Sequence, residues 1–316
     1  MFIHASADYV PTRVVDNEYF SSLTGRPTDW FEKLTGIRQR RRAAQGENAN
    51  TMAIAAVENL VRTSPQILDG VDLIIGASYT PWDTIGTIAH VVQKHFSIRD
   101  ARALYVSTAC SSFIDALEMT WAYFQAGRAS RALVIAVEHN SLYSRDSDEK
   151  SGHLWGDGAA ALLVSKEPGG QGVQIIDVRA VGRGDLGRGP EGIQMVPHQD
   201  GLVMLHGKDI FMHACREMVA AAHSILDRHG VSLDDVRLMI PHQANQRIIN
   251  CVIEHLKMPA ERAALTIQEL GNTGCASVAI TYHRHWQRLN AGDIGLIVAF
   301  GGGYSAGAAL LRRLPG

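Results

Sequence analysis

Short apolar runs alternate with amphipathic stretches along the whole chain, and the order of segments in the first half recurs in the second. In the first half, Val71-Asp-Leu-Ile-Ile-Gly-Ala77 reads as a buried strand. Ala103-Leu-Tyr-Val106 is another, and behind it Phe113, Ile114, Leu117 and Trp121 fall at helical spacing, which predicts strand, turn and helix. Ala132–Glu138 and the glycine-led Gly156-Asp-Gly-Ala-Ala-Ala-Leu-Leu-Val164 predict two further strands. In the second half, Val236–Ile240 runs into Pro241-His-Gln-Ala-Asn245 and a helical stretch. Leu265-Thr-Ile-Gln268 and the turn Gly271-Asn-Thr-Gly-Cys-Ala-Ser277 open a second helix, and Ile294–Phe300 and Gly301–Leu311 follow. Four matching elements in one order predict a duplicated α/β fold, with two similar halves, residues 1–170 and 171–316, and mixed β-sheets sandwiched by helices. Apolar strand–helix alternation also looks alike without duplication, so the pattern alone leaves both arrangements open.

Composition narrows the class. A chain of 316 residues with 46% hydrophobic and 20% charged residues has ample core for a large globular fold. A net charge of −2 argues against general attraction to nucleic acid or membrane. No apolar run approaches a membrane span, and Met1-Phe-Ile-His-Ala-Ser6 lacks the build of a secretory signal. The four cysteines, at 110, 215, 251 and 275, have no paired spacing, so a reducing cytoplasm is the expected setting. No metal site is expected, because His283 and His285 are two apart on a predicted helix and face different ways. Gly182-Arg-Gly-Asp-Leu-Gly187 has the letters of a dinucleotide loop but leads into Arg-Gly-Pro-Glu-Gly instead of a helix, so no such site is expected. Arg38-Gln-Arg-Arg-Arg42 reads as a solvated face that could meet an anionic partner.

The candidate chemistry centres on Cys110. Ser107-Thr-Ala-Cys-Ser-Ser112 reads as the turn between strand and helix, which places the thiol at the positive end and free N–H groups of that helix. A field of roughly 1.4 kcal/mol would lower a thiol pKa of ~8.5 by about one unit, and raise the thiolate fraction at neutral pH from ~3% to ~25%. A buried, inert cysteine is the alternative for any single thiol.

With Cys110, Pro241-His-Gln-Ala-Asn245 and Gly271-Asn-Thr-Gly-Cys-Ala-Ser277 stand Leu34-Thr-Gly-Ile-Arg38, Trp155-Gly-Asp-Gly158 and Phe300-Gly-Gly-Gly303. In these motifs the chain resembles, over nearly its whole length, the β-ketoacyl-acyl-carrier-protein synthase III family of the thiolase fold. The resemblance implies that Cys110 receives an acyl group from a thioester. It implies that His242 and Asn272 bind the malonyl thioester carbonyl and promote decarboxylation, where two preorganised donors at an enolate oxygen are worth several kcal/mol. The backbone N–H groups of Cys110 and Gly302 would hold the second oxyanion, at the acyl carbonyl. A turn histidine and a helix-capping asparagine are the bland alternatives for His242 and Asn272.

The same resemblance places Trp30, Trp155, Leu205, Gly207, Phe211 and Arg247 along a pantetheine tunnel or its rim, with Arg247 meeting the acyl carrier protein. Ile85 falls where the family floors the acyl pocket across a homodimer interface. It implies no cofactor beyond acyl and malonyl thioesters of coenzyme A or carrier protein. Family members primed from coenzyme A carry arginines at the positions of Leu34 and Glu149, so a carrier-protein donor is expected here, docking on Arg247 and the Arg38–Arg42 run. The expected activity is decarboxylative condensation, in fatty-acid synthesis or in a pathway such as biotin, quinolone or polyketide formation. The alternatives are an acyltransferase of the same fold without condensation, a Cys-His-Asn thioester hydrolase and a non-catalytic scaffold. No C-G-S-C-W surrounds Cys110, which counts against the hydrolase.

Overall fold

The computed structural model describes residues 1–315. The first half holds β1 (Phe2–Tyr9), β2 (Arg13–Asp16), β3 (Gln39–Arg42), β4 (Leu73–Ala77), β5 (Arg102–Val106), β6 (Arg131–His139) and β7 (Asp157–Ser165). The second half holds β8 (Val173–Gly182), β9 (Ile193–Val196), β10 (Gly201–Met204), β11 (Val236–Pro241), β12 (Ile294–Gly301) and β13 (Ser305–Arg313). Nine of these run together in the order β11-β12-β13-β8-β1-β7-β6-β4-β5. From the junction of β1 and β8 the same pattern unfolds in both directions. β7 is antiparallel to β6 and β6 parallel to β4, while β13 is antiparallel to β12 and β12 parallel to β11. The seam itself is short, pairing Phe2 with Gln174 and Ile3 with Val173.

Helices separate these strands into layers. Ala49–Val61 and Ile88–His95 cover the outer face of the first-half strands, and Gly207–His229 and Gln246–Leu256 that of the second. Ser112–Gln125 and Ala276–His285 lie between, packed on strands of both halves. Strands covered on both faces need no polar alternation, and β7 is buried at every residue with the sequence Asp157-Gly-Ala-Ala-Ala-Leu-Leu-Val-Ser165. The fold is the expected mixed α/β arrangement with helices on both sides of the strands. No helix among the described residues is long and apolar enough to cross a membrane.

One strand lacks its counterpart. β5 pairs along its length with β4, but Leu265–Gln268 runs into a short helix, Ile267–Leu270, with a single parallel bridge from Met239 to Ala263. The Gln243 side chain explains the difference. Its Oε1 accepts from the Thr266 and Ile267 N–H groups at 2.9 and 3.1 Å, and its Nε2 donates to the Ala264 carbonyl at 3.1 Å. The backbone groups a ladder would use are therefore taken by a side chain.

The arginine run departs from expectation. Gln39–Arg42 pairs antiparallel with Arg13–Asp16, and strand alternation turns Arg40 and Arg42 inward. Arg40 is fully buried, with its guanidinium 4.4 Å from the centre of the Phe20 ring and a bond to Asn17 Oδ1 at 2.8 Å. Arg42 is buried as well and pairs with Asp146 at 2.5 Å. Aromatic faces and backbone carbonyls accommodate Arg40 and Arg42 here, so these two are not part of a solvated face, while Arg38 is exposed and Arg41 half-buried.

Candidate active site

Cys110 follows β5 in a tight turn whose preceding residue, Ala109, is left-handed with φ 53°. A non-glycine residue there costs on the order of 1 kcal/mol, held by the turn's own bonds. The Thr108 N–H donates to Ser112 Oγ at 2.8 Å and the Ser112 N–H to the Ala109 carbonyl at 3.1 Å. The end of β12 closes on this turn at Gly301, where a Cβ would sit 2.9 Å from the Cys110 nitrogen. Only a bare backbone fits there. The N–H groups of Cys110 and Gly302 face the Cys110 sulfur and favour its anionic form. Two amides aimed at the nucleophile's own sulfur are positioned for an oxygen on a carbonyl attached to it.

The thiolate expectation is corrected by burial. Cys110 is 7% exposed, and desolvation with the nearby Glu138 carboxylate pushes its thiol up to about 12. Tyr79 and the two amides act the other way and are outweighed. The helix Ser112–Gln125 does begin behind Cys110, but a terminal field of about 1–2 kcal/mol does not match the cost of a buried anion.

His242 and Asn272 reach the same place from the second half. The His242 N–H donates to the Val298 carbonyl at 2.8 Å, which fixes the turn to β12. Its Nδ1 lies 2.7 Å from Ser277 Oγ, which also accepts from the Gln243 N–H at 3.3 Å. Burial holds the imidazole down to about 4, so it is neutral at physiological pH. A serine hydroxyl that donates to Nδ1 leaves the ring proton on Nε2, facing away from Ser277. Asn272 is clamped between Leu154 and Gly156 by backbone bonds of 2.8 and 3.0 Å, and its Oδ1 accepts from the Gly274 N–H at 2.9 Å. That leaves the amide nitrogen a donor with no partner among the described residues.

Cys110, His242, Asn272 and Gly302 line one cavity of about 640 Å³, within the range of ligand sites. Of the tunnel positions, Trp155, Gly207, Phe211 and Arg247 line it, and so does Leu34. Trp30 and Leu205 do not. Trp30 stands behind the wall, its ring 5.7 Å from that of His153, which does face the cavity. Leu205 follows Met204, and adjacent residues of an extended segment point opposite ways, so Met204 lines the wall while Leu205 is 45% exposed. Ile85 lies outside the cavity and is 88% exposed. Exposed Lys150 and Lys208 join Arg247 in the lining, which contains no Asp or Glu. Sequence reasoning missed both lysines, since nothing local distinguishes a rim lysine from any other. Glu149 is exposed and paired with Arg26 at 3.2 Å.

Two family models match this chain. The model described as 3-oxoacyl-acyl-carrier-protein (ACP) synthase III matches residues 105–184, and that of its C terminal part matches residues 226–313. The chain is 33% identical to beta-ketoacyl-acyl-carrier-protein synthase III 2 of Deinococcus radiodurans, covering 99% of this chain and 95% of that protein. The crystal structure of 3-oxoacyl-acyl-carrier-protein synthase III from Aquifex aeolicus superposes with a TM-score of 0.91 at 33% identity, over 98% of this chain and 99% of the other. The priming β-ketosynthase of the R1128 polyketide biosynthetic pathway gives 0.89 at 27% identity, over 99% and 96%.

Proposed function

The chain belongs to the 3-oxoacyl-acyl-carrier-protein synthase III family of condensing enzymes, and on that premise we propose a decarboxylative Claisen condensation carried by Cys110, His242 and Asn272. The observation that carries this reading is the convergence of those three side chains and Gly302 on one cavity. In the first step the Cys110 sulfur attacks an acyl thioester, the carrier's C–S bond breaks, and the thiol proton ends on the departing carrier sulfur. The Cys110 and Gly302 amides hold the transient oxyanion. A malonyl thioester then places its carbonyl oxygen between the Nε2–H of His242 and the amide of Asn272. The bond to its carboxylate breaks, CO2 leaves, and the enolate carbon attacks acyl-Cys110. A carbon–carbon bond forms, the S–C bond breaks, and Cys110 takes up a proton.

The neutral imidazole favours this role over a papain-like hydrolase, which needs an imidazolium beside a thiolate. An acyltransferase without condensation remains the second reading because it would use the same nucleophile and amides. Release of CO2 from malonyl-carrier protein, with a β-ketoacyl product, separates the two.

Acyl-carrier protein is the proposed donor. Lys150, Lys208 and Arg247 suit the phosphate that either carrier presents, but Leu34 is apolar and Glu149 acidic where phosphate-facing arginines would favour coenzyme A. Acylation from the carrier protein is expected to exceed that from coenzyme A about tenfold with the same acyl group. Leu34→Arg with Glu149→Arg should recover that factor on coenzyme A. Equal efficiency on the two carriers, or no gain in the double variant, would contradict the assignment.

A homodimer completes the reading. β5 is an unpaired sheet edge with half-buried Leu104 and Val106, and beside the adjoining β4 the exposed Trp82 and Ile85 need a cover. Light scattering at micromolar concentration should give twice the chain mass. Ile85→Trp should shorten the accepted primer and leave malonyl decarboxylation alone, whereas a monodisperse monomer would rule out a shared acyl pocket.

A further inference from the structure

Parallel neighbours β4 and β5 end side by side, and the segments that continue them carry Tyr79 and Cys110. The Tyr79 hydroxyl donates to Asn140 Oδ1 at 2.7 Å, and it lies beside the Cys110 thiol, close enough to ease that thiol's ionisation. Asn140 Nδ2 is committed to the carbonyls of Gly156 and Asn272, at 2.8 and 3.2 Å. The amide orientation is thereby fixed and Oδ1 can only accept. The phenol ring cannot drift, because Gly274 packs against it so closely that a Cβ there would lie 2.6 Å from the hydroxyl oxygen. The Tyr79 N–H is anchored too, on Glu138 at 3.3 Å.

We propose that Tyr79 is a further catalytic residue, whose hydroxyl turns from Asn140 to donate to the Cys110 sulfur as that sulfur becomes anionic and attacks the acyl thioester. The inference rests on Cys110 being the nucleophile. A phenol has one proton and here two neighbours. With a neutral thiol the proton belongs on Oδ1, since sulfur is a weak acceptor. When the thiol proton leaves for the carrier sulfur, a bond to charge is about twice as strong as one between neutral groups, and the donor moves. The Cys110 and Gly302 amides go over to the acyl oxygen during the attack, and no other side chain among the described residues brings a positive charge to this sulfur. Glu138 from β6 repels the anion, Cys275 at the head of Ala276–His285 is held as a thiol, and His242 is neutral. Tyr79 itself stays protonated, its phenol raised well above 10.

The test is the rate of Cys110 alkylation by iodoacetamide against pH, read by mass spectrometry of the Cys110 peptide, alongside acylation from an acyl-carrier protein. Tyr79→Phe keeps the ring, so chain-length preference should not change, while alkylation and acylation at fixed pH should both fall about tenfold. A ring-fluorinated tyrosine at position 79 keeps the shape and is a stronger donor, so its alkylation should be faster than the unmodified enzyme's. Alkylation of Tyr79→Phe at the normal rate or faster overturns the proposal. So does a fluorinated protein that reacts like Tyr79→Phe, an arm that stands if the phenylalanine variant misfolds. Failure of the nucleophile assignment would look different: normal coupling of alkylation to Tyr79, but with the acyl group on another cysteine.

Discussion

Cys110→Ser is expected to lose acyl transfer and condensation by about 10⁴-fold or more, with no acyl adduct detectable at position 110. Even the thiol is hard to ionise in this site, and a serine hydroxyl is far harder. No group nearby would take its proton, since burial holds the His242 imidazole down to about 4. Release of CO2 from a malonyl thioester should persist, because the Nε2–H of His242 and the amide of Asn272 are untouched. Intact mass after incubation with an acyl donor, and CO2 release from malonyl-carrier protein, check the two halves. Full self-acylation of the variant at Cys215, Cys251 or Cys275 would remove Cys110 from its role.

His242→Ala and Asn272→Ala should show the converse pattern. Each leaves acylation of Cys110 largely intact and costs roughly 2.7–4 kcal/mol in condensation, a factor of 10²–10³. The double variant should lose much less than the product of the two factors, because both donors serve one oxygen. Single-turnover rates from preloaded acyl-enzyme separate this step from acylation. Either variant condensing at the normal rate would contradict the proposed enolate site.

Much of this site was legible because its turns are local in sequence. The apolar run, the turn with Cys110 and the helix behind it follow one another within 102–125, and the structure has strand, turn and helix there. Pro241–Asn245 and Gly271–Ser277 likewise announce turns ahead of helices. What was illegible depends on contacts far along the chain. The thiol's ionisation was misjudged because the local sequence shows the helix terminus but not the burial around it. Arg40 reads as a surface charge until Phe20 and Asn17 are found against it. The missing second-half strand turns on the side chain of Gln243, some twenty residues earlier. Tyr79 gives no motif at all, and its meaning comes from β4 and β5 ending together.

The most direct measurement loads the enzyme with an acyl group, removes excess donor, adds malonyl-carrier protein, and follows Cys110 and the carrier by mass spectrometry while CO2 is counted. The expected result is loss of the Cys110 adduct in step with a β-ketoacyl-carrier protein two carbons longer than the primer, with one CO2 per adduct discharged. Discharge of the adduct as free acid, or its transfer to the carrier unchanged and without CO2, would contradict the account.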